Sequence, residues 1–120
     1  MKYLTILVFF SFIIFSGYSY SDCKEVGFIA IFDVKSGQEG KFEKGALKLA
    51  ASVNSLESGT IFYAPYRGQN GQYYFMERYN DLAARNAHAQ HPSILKIFES
   101  IISPTLVAPP SVEPLDRLCD

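Results

Sequence analysis

This 120-residue chain contains two histidines, His88 and His91. Histidine is the side chain whose ordinary pKa lets it take or give a proton near neutral pH. His88 is the better candidate. It follows Ala84 by four residues and borders an apolar helical stripe of Leu82, Ala84, Ala87 and Leu95. His91 immediately precedes Pro92 and reads as a solvated turn residue. Upstream lie two aromatic segments that contribute Tyr63, Tyr74 and Tyr79. Their simplest role is packing in a core or an interface, and the sequence does not fix which face each presents. Glu77 and Arg78 are adjacent and read as an ion pair at a strand end. The plain alternative for His88 is that it bonds a neighbour or faces solvent.

The two cysteines, Cys23 and Cys119, lie near opposite ends of the chain. An even count in a secreted domain reads as one disulfide. Two free thiols or bridges between chains remain open. Secretion is itself a sequence expectation. Lys2 precedes the apolar run Leu4–Phe15, and Ser19 and Ser21 supply small residues for cleavage before Asp22. Residues 1–21 thus form a signal peptide, and the run is shorter than the ~20 residues that span a bilayer. An uncleaved membrane anchor is the alternative. The formal net charge is −1, with no basic patch, which argues against a nucleic-acid partner.

The elements that must position these residues follow from periodicity. Residues 26–34 (VGFIAIFDV) form a strand, apolar enough to be buried on both faces. Phe42, Ala46, Leu49, Ala50, Val53 and Leu56 recur at helical spacing, which predicts a helix over 39–55 with Lys41, Lys44 and Lys48 outward. Residues 60–67 form a second strand, held to an edge or a bulge by Pro65. Residues 68–71 (GQNG) form a hairpin turn. The third strand, 72–79, sets Tyr73, Phe75, Glu77 and Tyr79 on one face and Tyr74, Met76 and Arg78 on the other. Asn80 is read as the cap of a helix from Asp81 to Gln90, and Ser93 as the cap of a second helical stretch to Ile102. Residues 105–108 form a short fourth strand, followed by a proline-rich tail to Cys119. The order is β-α-β-β-α-β, the ferredoxin-like arrangement with an antiparallel sheet in a single α+β domain over residues 22–120. Two helices cannot cover both faces of that sheet, so a second copy of the chain is the simplest cover for the other.

An ordered set of residues resembles the antibiotic biosynthesis monooxygenase (ABM) family. Phe28, Val34, Gly37 and Phe42 fit its opening strand and helix. Glu57, Gly59, Tyr63, Tyr66 and Arg67 follow, then the Gly68–Gly71 hairpin, and then Glu77, Tyr79, Asp81, Ala84, His88 and Pro92. The match covers about residues 26–98. Two positions depart from the family pattern. Tyr79 stands where the family usually has tryptophan, and strand one lacks the asparagine of haem-degrading relatives, which argues against haem degradation.

The resemblance implies a dimeric α+β barrel and a cofactor-independent monooxygenase, with no metal or flavin and with dioxygen as co-substrate. The substrate would be a small aromatic or quinol, His88 the catalytic base, and Tyr63, Tyr74 and Tyr79 the substrate-binding residues. Fold alone does not carry activity. A non-catalytic secreted module that binds an apolar ligand, or a purely structural homodimer, stays open beside it.

Overall fold

The computed structural model describes residues 23–119, so the segment read as a signal peptide lies outside the described residues. The first strand, β1 (Val26–Asp33), pairs antiparallel with β3 (Gln72–Tyr79) on one side and with β4 (Ser111–Asp116) on the other. β2 (Thr60–Arg67) completes a four-stranded sheet of order β2-β3-β1-β4. β2 is therefore an edge strand, as Pro65 requires. Its pairing with β3 also shifts between Thr60 and Phe62. The β2–β3 turn places Asn70 and Gly71 at φ of 56° and 75°, the left-handed pair that suits the twist of an Asn-Gly hairpin.

Helix α1 (Glu39–Leu56) lies on one face of the sheet and buries Phe42, Gly45, Ala46, Leu49, Ala50 and Val53. The predicted stripe holds except at Leu56, which ends the helix and is exposed. Phe42 meets Phe32 and Tyr73, with ring centroids 5.5 and 4.6 Å apart, and Phe32 meets Phe75 at 5.2 Å. This aromatic cluster fixes α1 on β1 and β3. Helix α2 (Leu82–Gln90) and α3 (Pro92–Ile97) follow, then a π turn (Phe98–Ile102) and a 3₁₀ turn (Ser103–Thr105).

Two boundaries differ from the sequence expectation. The cap of α2 is Asp81 rather than Asn80; its side chain accepts the Ala84 N–H at 2.7 Å. The fourth strand is not 105–108 but Ser111–Asp116, inside the proline-rich tail. Of the earlier stretch only Leu106 forms a bridge, with Val34. β4 is an outer strand bonded to β1 alone, and such a position tolerates the missing donor of Pro114. The antiparallel β1–β4 pair brings Cys23 and Cys119 together in a disulfide, with Cα atoms 6.1 Å apart and a sequence separation of 96. In the chain-entropy account, a loop of that length contributes up to ~4–5 kcal/mol.

The two faces of the sheet are unlike. The helix-covered face carries Phe28, Ala30 and Phe32 of β1 with Tyr73, Phe75, Glu77 and Tyr79 of β3, and from Ala30 and Tyr73 onward these are buried. The other face carries Ile29, Ile31, Phe62, Tyr66, Tyr74, Met76 and Leu115, several of them well exposed. β1 is thus fully buried on one face only. No helix among the described residues is long and apolar enough to cross a membrane.

Candidate active site

Helix α2 brings His88 onto the covered face of the sheet. The helix buries none of its own residues completely, so its hold on the sheet depends on a few side chains and on the Asp81 cap. Opposite it lies the turn that ends α1. The Glu57 N–H closes that helix on the Val53 carbonyl at 3.0 Å. Two residues later Gly59 passes so close to α2 that a Cβ there would lie 2.6 Å from the Ala84 Cβ. That approach brings Glu57 to His88. Its carboxylate oxygens lie 2.9 and 3.0 Å from His88 Nδ1. Both side chains are nearly buried, with 12% of His88 and 7% of Glu57 exposed.

The His88 ring is held between two tyrosines. The Tyr63 ring from β2 lies 5.1 Å away and the Tyr79 ring from β3 5.4 Å away, centroid to centroid. The Tyr79 hydroxyl donates to Glu77 Oε2 at 2.7 Å. Arg85, one turn before His88, sets its guanidinium 4.8 Å from the centroid of the Phe28 ring. Its Nε is buried without a hydrogen-bond partner among the described residues.

Burial governs the charges here. It raises the Tyr63 phenol well above its ordinary pKa, reinforced by the negative fields of Glu77 and Glu57. Burial likewise raises Tyr79, and Glu77 adds to the effect through its charge and its hydrogen bond. Both phenols therefore stay protonated and do not act as bases, and Tyr79 is a donor. Burial also raises the Glu77 carboxyl, outweighing the Tyr79 hydrogen bond and the attraction of His88 and Arg85. The carboxylate on His88 Nδ1 fixes the hydrogen on that nitrogen and leaves Nε2 as the basic position.

The structure thus brings three of the sequence candidates together and leaves one apart. His88, Tyr63 and Tyr79 share the covered face, while Tyr74 projects from the opposite face and donates to Gln72 Oε1 at 3.0 Å. A cavity between two sheets, which the barrel expectation suggested as the compartment, would sit on the Tyr74 side and not at His88. The adjacent pair Glu77 and Arg78 is not an ion pair, because successive strand residues point to opposite faces. Arg78 pairs instead with Glu25, and Glu77 turns inward to Tyr79. His91 is not a solvated turn residue. It is half-buried between α2 and α3, and its Nδ1 is buried and unpartnered among the described residues. Glu57 and Arg85 were missed as site residues. Glu57 stands 31 residues before His88, and no local spacing links them.

The antibiotic biosynthesis monooxygenase (ABM) family model matches residues 26–100, most of the chain and all the residues of this cluster. The chain belongs to the ABM family. A crystal structure of a candidate antibiotic biosynthesis monooxygenase from Caulobacter crescentus CB15 is similar to it at 28% identity. That similarity covers 79% of this chain and 91% of the other, with a TM-score of 0.74. Rv0793 from Mycobacterium tuberculosis is 22% identical over 80% of this chain and 97% of its own, with a TM-score of 0.71. A conserved protein of Methanosarcina mazei Go1 is 18% identical over 80% and 95%, with a TM-score of 0.72. These last two speak to fold alone. No curated protein matches the chain. Within the ABM fold, this chain sets the Glu57–His88 and Glu77–Tyr79 pairs beneath α2.

Proposed function

We propose that this ABM chain is a secreted, cofactor-independent monooxygenase that oxidises a small phenol or quinol with dioxygen. The observation that supports it is the Glu57–His88 pair, an oriented imidazole between two buried phenol rings. His88 Nε2 takes the phenol proton of the substrate. The phenolate is a stronger electron donor and passes one electron to dioxygen. The resulting pair joins at ring carbon, forming a C–O bond. The peroxide regains a proton from His88, the ring carbon loses its own hydrogen, and the O–O bond breaks. One oxygen atom leaves as water and the other remains on the ring, as the second carbonyl of a quinone when the substrate is a phenol and as the added oxygen of a hydroxyquinone when it is a quinol. All four electrons accepted by dioxygen come from the substrate, so no flavin, metal or external reductant enters the balance. General-base assistance of this kind is worth about 10²–10⁴ in rate. Tyr63 and Tyr79 supply aromatic walls, and Tyr79 is held neutral by burial and Glu77.

The test is oxygen uptake by the purified protein with a panel of phenols and hydroquinones, with quinone appearance followed by absorbance. Turnover should fall sharply in His88→Ala. Equal turnover by that variant, or none above buffer, removes the enzymatic reading for the panel. The burial of Tyr63 and Tyr79, 5% and 0% exposed, favours a second reading. If their rings stay closed against His88, the chain is a binding or structural module. In that case ligands would bind without conversion.

Secretion accords with the disulfide, since such bridges persist in oxidising compartments. A homodimer formed through the open face of the sheet completes the proposal. It would cover apolar side chains that the chain's own helices leave bare.

A further inference from the structure

A hollow of about 400 Å³ opens on the uncovered face of the sheet, lined by Glu25, Gly27, Arg78, Leu115, Asp116 and Arg117. Gly27 is its floor. In β1 this residue pairs with Arg78 of β3 on one side and with Leu115 of β4 on the other, and strand parity puts all three on the open face. A glycine inside a strand is unfavourable and often marks a place where something approaches closely. The usual structural reasons for glycine do not apply to Gly27. It is not among the glycines with positive φ. A Cβ there would meet nothing nearer than 3.5 Å, an ordinary contact. Backbone and packing would both accept a side chain, and its absence leaves the hollow.

Two arginines converge at one end of this hollow. Arg78 Nε donates to one oxygen of Glu25, and a terminal nitrogen of Arg117 donates to the other. The carboxylate thus ties the two guanidinium groups together and fixes where they stand. Each guanidinium has more N–H groups than it spends on Glu25, and the rest bond no acceptor among the described residues. Both side chains are about half exposed, so those donors are open to a ligand. The three charges leave one positive charge in excess. Asp116 pairs with Val26, so parity turns its side chain to the other face. Beyond Gly27 the open face turns apolar along β1, with Ile29 beside Met76 and Ile31 beside Tyr74. Glu113 stands on the outer side of Ile29 and repels an anionic head there.

We propose that this hollow binds a small monocarboxylate with an apolar chain, of the medium-chain fatty-acid class. The carboxylate takes the unspent N–H groups of Arg78 and Arg117, whose planar forks match its geometry. Its single negative charge answers the excess positive charge of the triad. The chain crosses Gly27 and lies on Ile29 and Met76. The arginines and the glycine come from one protomer, and a covering copy would close over the bound chain. The site lies on the face opposite His88, so it stands or falls apart from the proposed oxidation.

The experiment is titration of the purified, disulfide-bonded protein with octanoate, hexanoate, octanol and octylammonium at premicellar concentrations. Ligand-observed NMR gives the affinity, and amide spectra of the isotope-labelled protein locate the site. Octanoate should bind saturably and roughly tenfold tighter than hexanoate, as its additional buried methylenes predict. Octanol should bind more weakly than octanoate, and octylammonium least. The amides of Gly27, Ile29 and Leu115 should shift, and that of His88 should not. Gly27→Val should weaken octanoate roughly tenfold by filling the hollow, while melting no lower than the parent, since valine suits a strand. Gly27→Ala adds only the Cβ that the site accepts, and should weaken octanoate severalfold in a fold that is not in question. Arg117→Gln should bring octanoate down towards octanol and leave octanol unchanged. No saturable octanoate binding, parental affinity in both Gly27 variants or in Arg117→Gln, octylammonium bound as well as octanoate, or shifts confined to α2 would overturn the assignment.

Discussion

At the scale of single residues, the proposed chemistry turns on how two carboxylates differ. Glu57 orients His88, and Glu77 accepts from Tyr79 in a more buried position. Glu57→Gln keeps the size of the side chain but can present its N–H₂ to Nδ1 and stabilise the wrong tautomer. Turnover should drop by about ten- to a hundredfold with little change in KM, checked by steady-state oxygen uptake. Glu77→Gln tests the burial argument. The Glu77 carboxyl is raised above its ordinary value in the folded chain, so the unfolded chain releases that proton first as pH rises. Its contribution to stability is then lost from the ordinary carboxylate range upward, through the folded value. The glutamine variant, whose carbonyl still accepts from Tyr79, should melt a few degrees higher than the parent at pH 7–8. It should show no such advantage near pH 4, by differential scanning calorimetry. A parent that melts higher at neutral pH would mean that the charge is stabilised by Arg85 and His88 after all. His88, Tyr63 and Tyr79 were legible from residue type and local pattern, whereas Tyr74 lies on the opposite face. Strand parity already set Glu77 beside Tyr79 on one face; Glu57 and Arg85 were not legible as partners of this cluster, because contacts between separate elements leave no periodic trace.

At the scale of elements, close approaches set the site. α1 packs so tightly on the π turn that a Cβ at Gly45 would lie 2.6 Å from the Ile101 Cγ2 and 3.0 Å from the Ile102 Cδ1. Sequence reasoning sees Gly45 only as a weak helix residue, one that alanine should improve by about 1 kcal/mol. The structure reverses the sign. The methyl would meet a β-branched side chain at its stiff end, and overpacking of this kind costs about 1–3 kcal/mol. Gly45→Ala should therefore lower the urea midpoint, whereas Gly40→Ala, with nothing within 4 Å of the added Cβ, should not. The helices and the first three strands were readable within a residue or so, since each has a clean period of 3.6 or 2. The fourth strand was not. Three prolines between residues 109 and 114 mask it, and it becomes a strand only because β1 offers an open edge. The α2 cap was misread by one residue, as Asn80 and Asp81 are both competent and only the Ala84 N–H decides between them.

At the scale of the whole molecule, the sheet sets the His88 cluster and the open apolar surface on opposite faces. The site lies under α2 on one face, while Phe62, Tyr66, Met76 and Leu115 on the other are 37%, 47%, 44% and 41% exposed. That one face of the sheet would be left uncovered could be read from helix count and apolar strands. Which face holds the imidazole could not, since strand parity alone does not say which side the helices take. Met76 is the point at which to test assembly. It sits on β3 between Ile29 of β1 and Ala64 of β2, inside the sheet and away from its edges. A charge there stays solvated in a monomer but must be desolvated, and set near its symmetry mate, in a two-fold dimer. Met76→Glu should convert a dimer to a monomer in sedimentation velocity at several concentrations, with an unchanged circular dichroism spectrum. Any oxygen uptake with the phenol panel should persist, because Tyr63 and Tyr79 beside His88 lie on the opposite face. A parent protein that sediments as a monomer at every concentration would refute the dimer and leave the site untouched. Loss of that uptake in Met76→Glu would instead show that the two faces are coupled, with the covering copy holding α2 in place through the sheet.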